Sequence, residues 1–227
     1  QLLFLQERVR ETSSDPSADV AGAECLALTD ALLAAAPPLS AEDRGTVFES
    51  RARVHQIRGR GEQALADVER ALACKEAPSS LALRAGILRG LGRGAEGVEH
   101  ALRFLRSTEG ASAAADTACI VVWESARSSN PALAREALRL NLRLRPNAGF
   151  FLRLSLLELE AGDSEAAQAS FVKARKQLVL ERNQGREDAP GAWDAVEGAL
   201  VGDGPTLSAL RQAVATLEEL RGTATKP

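Results

Sequence analysis

The sequence predicts an all-α fold, a solenoid of antiparallel helix pairs, and three observations carry that expectation. A four-point pattern recurs about every 33 residues: a small residue at a turn, then alanine or glycine, then two further apolar or small residues at spacings of five, four and three. It reads Gly59, Ala64, Val68, Ala71, then Gly92, Gly97, Ala101, Phe104, then Gly162, Ala167, Phe171, Ala174. Alanine and leucine dominate, and β-branched runs are nearly absent, which favours helix over strand. Glycine falls at the recurring turns, in Gly59-Arg60-Gly61, Gly92-Arg93-Gly94 and Gly162-Asp163. A glycine there ends one helix without steric cost, so the next helix starts at once and runs back along the first.

These signals place four units at 45–77, 78–111, 115–147 and 148–181. In each, the first helix carries Ala52, Ala85, Val122 or Ser155 seven residues before the turn, and the second carries Ala64, Gly97, Ala134 or Ala167 near its start. Small side chains at both places let paired axes approach to the short end of the usual range of about 8–10 Å. Phe48, Val68, Phe104 and Phe171 then fill the space beyond them. The third unit lacks a turn glycine. Ser128-Ser129-Asn130-Pro131 takes that part, with Asn130 as an N-cap and Pro131 at the first helical position. The strand-like run Cys119-Ile120-Val121-Val122-Trp123 sits in a helical context from Ala113 to Ala126.

The flanks are less regular. Residues 1–44 are expected to form an N-terminal helix pair, the first led by Leu2, Leu3, Phe4 and Leu5, the second from Asp15-Pro16 to about Ala36. Residues 182–227 are expected to form a C-terminal capping pair. Its first helix holds Trp193, Val196 and Leu200, the turn is Gly202-Asp203-Gly204-Pro205, and the second helix runs from Thr206 to Leu220. The polar stretch Glu181 to Asp188 reads as a frayed helix end or a loop. A pair of helices cannot bury its apolar face alone, so the units stack into one helical-repeat domain over 1–227.

Composition bounds the function. The chain of 227 residues is 45% apolar and 26% charged, enough for a full core and unlike a disordered chain. No run of about 18 apolar residues exists to cross a bilayer. A net charge of −3 gives no overall basic field for nucleic acid. Its 28 cations are 24 Arg and 4 Lys, which reads as a high-GC, most often bacterial, coding bias. A chain that starts at Gln1 and has no Met reads as trimmed or processed, with any signal peptide or lipid-attachment cysteine upstream.

The chemical motifs dissolve on inspection. Gly92-Arg93-Gly94-Ala95-Glu96-Gly97 spells GxGxxG, but that motif needs a preceding strand, and here it is the repeat turn. His55 and His100 have no spacing partner for metal or acid–base work and read as packing residues. Cys25, Cys74 and Cys119 are odd in number, with no metal-ligand spacing, and read as small buried apolar residues. A Cys25–Cys74 bridge stays open. The carboxylates scatter at surface spacing and read as a solvated face. No catalytic constellation, cofactor or metal is expected.

The fourth unit carries a family resemblance. Phe151, Leu154 and Ser155, followed by Gly162-Asp163-Ser164-Glu165-Ala166-Ala167-Gln168-Ala169-Ser170-Phe171-Val172-Lys173-Ala174, resemble the tetratricopeptide repeat. The units at 45–77 and 78–111 match moderately, and that at 115–147 loosely, because Asn141 stands where the family prefers alanine. The resemblance spans 45–181 and implies a right-handed superhelix in which the first helix of each pair lines a concave groove. That puts Glu49, Arg53, Gln56 and Ile57 inside from the first unit, with Ala82, Leu83, Gly86 and Arg89 from the second. Cys119, Ile120, Trp123 and Arg127 follow, then Leu152, Arg153, Leu156 and Glu160. Arg53 stands where the family's carboxylate-binding members carry Asn, so a peptide C-terminal clamp is not expected.

The expected function is therefore a non-catalytic protein–protein interaction scaffold that binds a peptide or partner protein. Its candidate groove residues are Arg53, Leu83, Arg89, Ile120, Trp123, Arg127, Leu152, Arg153 and Leu156, since Trp and Arg dominate interface energies. The competing reading is that Trp123 packs on a neighbouring helix and the arginines solvate an edge. Two alternative functions stand beside it. One is a periplasmic or outer-membrane-associated assembly factor for a pilus or secretion channel, the other an accessory helical domain of a larger enzyme. Neither a nucleic-acid partner nor a membrane span is expected. Self-association through an apolar end, Leu2 to Leu5 or Leu207 with Leu210, is a further expectation, and the compartment is left between bacterial cytoplasm and periplasm.

Overall fold

The structure is a computed structural model that describes residues 16–34, 38–109, 113–183, 197 and 204–224. Among them there is no strand, and ten helices follow one another. They are α1 (Pro16–Ala34), α2 (Ala41–Ile57), α3 (Gly61–Cys74), α4 (Pro78–Gly90), α5 (Gly94–Ser107), α6 (Ala113–Ala126), α7 (Pro131–Leu144), α8 (Ala148–Glu160), α9 (Ser164–Asn183) and α10 (Leu207–Ala224). Leu2 to Leu5, Trp193, Val196 and Leu200 lie outside the described residues.

The repeat turns have one backbone solution. Gly59, Gly92 and Gly162 adopt φ of +68°, +74° and +80°, a conformation that costs other residues energy. In each turn the glycine N–H donates three residues back, and the next N–H donates five back, as in Arg60 to the His55 carbonyl, Arg93 to Leu88 and Asp163 to Glu158. That pair of bonds is the Schellman motif, which satisfies carbonyls left open at a helix end. The turn before α7 instead uses Asn130, whose side chain accepts the Leu133 N–H at 3.3 Å, with Pro131 opening the helix.

Helix α2 begins at Ala41, four residues before the expected unit boundary. Ser40 caps it: its hydroxyl accepts the Asp43 N–H at 3.1 Å and donates to the Asp43 carboxylate at 2.6 Å. Ser40 and Asp43 form a capping-box-like pair, a start signal legible in the sequence. At the other end, Thr206 caps α10 by accepting the Ala209 N–H.

Small residues mark the crossings of the pairs that lie within one unit: Ala52, Ala64, Ala85, Ser155 and Ala167 are fully buried. Val122 and Ala134 are fully buried as well. A Cβ on Gly97 would lie 3.1 Å from the Ala85 Cα, so the approach of α5 to α4 depends on the missing side chain. At the matching place in α8 and α9 the Ser155 hydroxyl donates to the Ala167 carbonyl at 2.8 Å. Phe48, Val68, Phe104 and Phe171 are buried beyond these contacts.

The chain divides into two compact units, 1–108 with 113–125, and 109–112 with 126–227. In the first, α1 packs on α2, α2 on α3, α3 on α4 and α4 on α5. In the second, α9 and α10 both pack on α8, and α7 packs on α8. From α1 to α5 and from α7 to α9, consecutive helices are thus neighbours, which is compatible with a helical repeat. The two helices expected as the third pair are divided, α6 belonging to the first unit and α7 to the second.

One sequence expectation is corrected here, and one open question is answered. The carboxylates are not all on a solvated face: Asp67, Glu158 and Glu181 are buried. Each is compensated, as a buried charge must be. Asp67 accepts from Arg51 twice at 2.7 Å and from Arg70 at 3.0 Å. Glu158 accepts from Arg139 at 3.0 Å and from the Ser170 hydroxyl at 2.6 Å, and Glu181 accepts the Ala148 N–H that opens α8. The periodicity of these helices hides such residues, because one buried carboxylate does not disturb a 3.6-residue pattern. The Cys25–Cys74 bridge that the sequence left open is not formed: none of the three cysteines is in a disulfide, with Cys25 and Cys119 buried and Cys74 partly so.

Candidate functional site

Three first helices, α2, α4 and α6, come together in the first compact unit, and hydrogen bonds link the side chains between them. At the centre, a Cβ on Gly86 would meet Thr117 Cγ2 of α6 at 3.2 Å and Gln56 Nε2 of α2 at 3.8 Å. Toward one end, Glu49 of α2 reaches the start of α4, whose N-cap Ala77 offers no capping side chain. Its carboxylate accepts from the Ser80 hydroxyl at 2.6 Å and from Ser79 at 2.8 Å. A carboxylate beside a helix N-terminus is also favoured by the helix dipole. Toward the other end, Arg89 of α4 donates to both oxygens of Glu124 in α6, at 2.6 and 3.1 Å.

A cleft of about 430 Å³ opens beside Glu49. Thr46, Glu49 and Arg53 line it from α2, Lys75 and Ala77 from the loop, and Ser79 and Ser80 from α4. Lys75 pairs with Glu42 at its rim. Arg53 donates to Glu49 at 2.7 Å. Burial would raise the Glu49 carboxyl, but the hydrogen bonds from Ser80, Arg53 and Ser79 outweigh it and hold Glu49 below its ordinary value. The cleft therefore presents a fixed anion, hydroxyls and two exposed cations.

The nine residues expected in a groove fall into two groups. Arg53 is exposed and lines the cleft. Arg89 is half-exposed and paired with Glu124, and Arg127 is exposed and paired with Glu218 of α10 at 2.8 Å. Leu83, Ile120, Trp123, Leu152 and Leu156 are core residues, Trp123 only 1% exposed. Arg153 is buried as well; it donates to the Gly149 carbonyl at 3.2 Å, and its guanidinium lies 5.8 Å from the centre of the Phe150 ring. The competing reading of Trp123 as a packing residue is thus the one that matches its burial. A face assignment by register errs when it slips by a residue, because neighbouring helix positions point about 100° apart.

Sequence reasoning missed Ser79 and Ser80. Their signal is Pro78-Ser79-Ser80 opening a helix that lacks a capping side chain of its own, but the partner carboxylate lies about 30 residues away and no local pattern names it. The expected apolar end face is also altered. Leu207 is exposed, whereas Leu210 is fully buried.

Both histidines are packed among charges. Burial pushes His55 down, against the pull of Asp67, whose carboxylate lies 3.7 Å from Nε2. Burial likewise lowers His100, and Arg84 adds to the effect, its guanidinium 3.3 Å from Nδ1. Among the described residues no group of three or more His, Cys, Asp or Glu side chains could hold a metal ion, and no helix is long and apolar enough to cross a membrane. No protein-family model matches the chain, and no curated protein is detectably similar to it.

Proposed function

We propose that this chain is a non-catalytic protein–protein interaction scaffold of the tetratricopeptide type, which holds an extended segment of a partner protein along the face made by its first helices. The observation that supports the reading is the convergence at the cleft. Glu49, Arg53, Ser79 and Ser80 come from successive helix pairs and place complementary polar groups around about 430 Å³ of open volume. Of the expected groove residues on this face, Arg53 reaches solvent at the cleft and Arg89 toward the opposite end, and arginine is enriched among interface hot spots. The reading extends to one helical-repeat domain with a helix pair on either side of 45–181. A peptide bound in such a cleft would have an ordinary affinity near micromolar, about −8 kcal/mol.

The test starts from a partner captured with the whole chain and identified by mass spectrometry, followed by titration with Arg53→Glu and Arg89→Glu variants. Both should weaken binding while helical circular dichroism stays unchanged. Wild-type affinity in both variants sinks the assignment of this face.

A further inference from the structure

We propose that the arginine column on α7 is a second docking surface, built for an acidic helix of a partner protein. The column stands on the second helix of its pair, in the second compact unit, and uses none of the cleft residues. Arg135, Arg139 and Arg143 recur at four-residue spacing and, with Ala132, Glu136 and Leu140, line a groove of about 360 Å³. Four residues of helix rise about 6 Å, so the three guanidinium stems are spaced as carboxylates at i, i+4 and i+8 of a facing helix would be.

The charge balance of the column sets it apart. Most arginines on the other helices are matched by a carboxylate of the chain itself, as in Arg51 with Asp67, Arg84 with Glu69, Arg89 with Glu124 and Arg211 with Glu160. The side chains of Arg135 and Arg143 make no hydrogen bond or ion pair within the described residues. Arg139 stands between them and donates to the buried Glu158 of α8, which fixes the middle of the column in place. A held central arginine between two unmatched ones is a preorganised row of donors. Arginine forks recognise carboxylates with two parallel bonds, which a lysine column would not supply. Leu140 adds an apolar spot between the charged heads.

The same row of cations would attract phosphates, but two features favour a protein. The carboxylate of Glu136 stands in the groove, where it repels a closely spaced phosphate chain, and the whole chain carries −3. A helix with one carboxylate per turn can place Ala or Lys opposite Glu136, whereas a nucleic-acid backbone cannot omit a charge.

The experiment is fluorescence anisotropy on the whole chain with three labelled probes. One is an alanine-rich helical peptide with Glu at i, i+4 and i+8. The second has the same composition with its three Glu contiguous, and the third is a single-stranded oligothymidine of equal charge. The spaced peptide should bind most tightly, and Arg135→Ala with Arg143→Ala together should weaken it by about tenfold, as expected for two exposed ion pairs. Arg143 is exposed and Arg135 half-buried, and unchanged helical circular dichroism verifies that the variant folds. Arg53→Ala should leave this binding untouched, so that failure here and failure at the cleft are told apart. Equal binding of the two peptides, wild-type affinity in the double variant, or no binding of the spaced peptide overturns the proposal. Tighter binding of the oligonucleotide also overturns it and assigns the groove to nucleic acid.

Discussion

The α4–α5 crossing and the α8–α9 crossing occupy the same place in the repeat and meet the same demand differently. In the first, contact comes from subtraction: Gly97 has no Cβ, and the Ala85 backbone fills the space. In the second, Ala167 keeps its methyl, and Ser155 opposite it donates a hydrogen bond into the facing helix. The demand is for small volume, not for apolar character. A hydroxyl meets it when its bond to the Ala167 carbonyl removes the cost of burial. This is why a pattern written in residue size survives in both pairs, whereas one written in hydrophobicity would have missed Ser155.

The largest expected effect bears on what both crossings share. Phe104→Ala and Phe171→Ala each remove a buried ring just beyond the crossing, and each should lower stability by about 3–5 kcal/mol in urea denaturation. A small loss at one and a large loss at the other would show that the two pairs are not equivalent. Ala167→Leu should cost about 1–3 kcal/mol by overpacking against fully buried Ser155. Ser155→Ala should cost about 1 kcal/mol, the net contribution of one hydrogen bond, and no change in the midpoint would mean the hydroxyl is incidental.

Glycine gives the finest contrast. Gly90→Ala places a methyl in open space near the end of α4 and should stabilise by about 0.4–1 kcal/mol through the unfolded chain. Gly97→Ala brings a similar propensity gain, but its methyl must displace the Ala85 backbone, so the net change should be zero or a loss. A rise in melting temperature for Gly97→Ala contradicts the close approach.

The smallest effect separates the two compact units by pH. His55 and His100 both lie in the first unit, and both are held below the ordinary histidine value, chiefly by burial. Their stabilising contribution is complete above about pH 6.5, where both folded and unfolded forms are neutral. It is lost as pH falls, because the unfolded chain takes up protons first. Glu49 adds a second loss lower down. Its folded value is depressed, so its contribution begins to fade as pH drops below about 4.3 and is gone once pH has passed below that lowered folded value. The second unit contains neither histidine. Hydrogen exchange at pH 7.5 and 5.5 should therefore show protection falling first in α2 to α5, and an earlier loss in α8 and α9 contradicts this assignment.

Much of the fold is legible in the residues because its determinants are local. Gly59, Gly92 and Gly162 announce their turns, since a left-handed backbone selects glycine over any other residue. Asn130-Pro131 announces the start of α7 by cap chemistry, and Ser40 with Asp43 does the same for α2. The site is less legible. Arg53 is recoverable from the resemblance, but the Ser79 and Ser80 hydroxyls matter only because Glu49 reaches across to them. Asp67, Glu158 and Glu181 look like any other helix carboxylate until their partners are brought close.

The sequence by itself determined the class of structure, the pairs α2–α3, α4–α5 and α8–α9, and the positions of the tight turns, since helix period, capping and glycine conformation act over a few residues. Only the tertiary structure decided which side of each helix is covered. Trp123 and Leu152 are buried, while Arg53 and Arg143 reach solvent, because burial depends on helices brought together from tens of residues away. A one-residue rotation of a helix changes that outcome without changing any local preference.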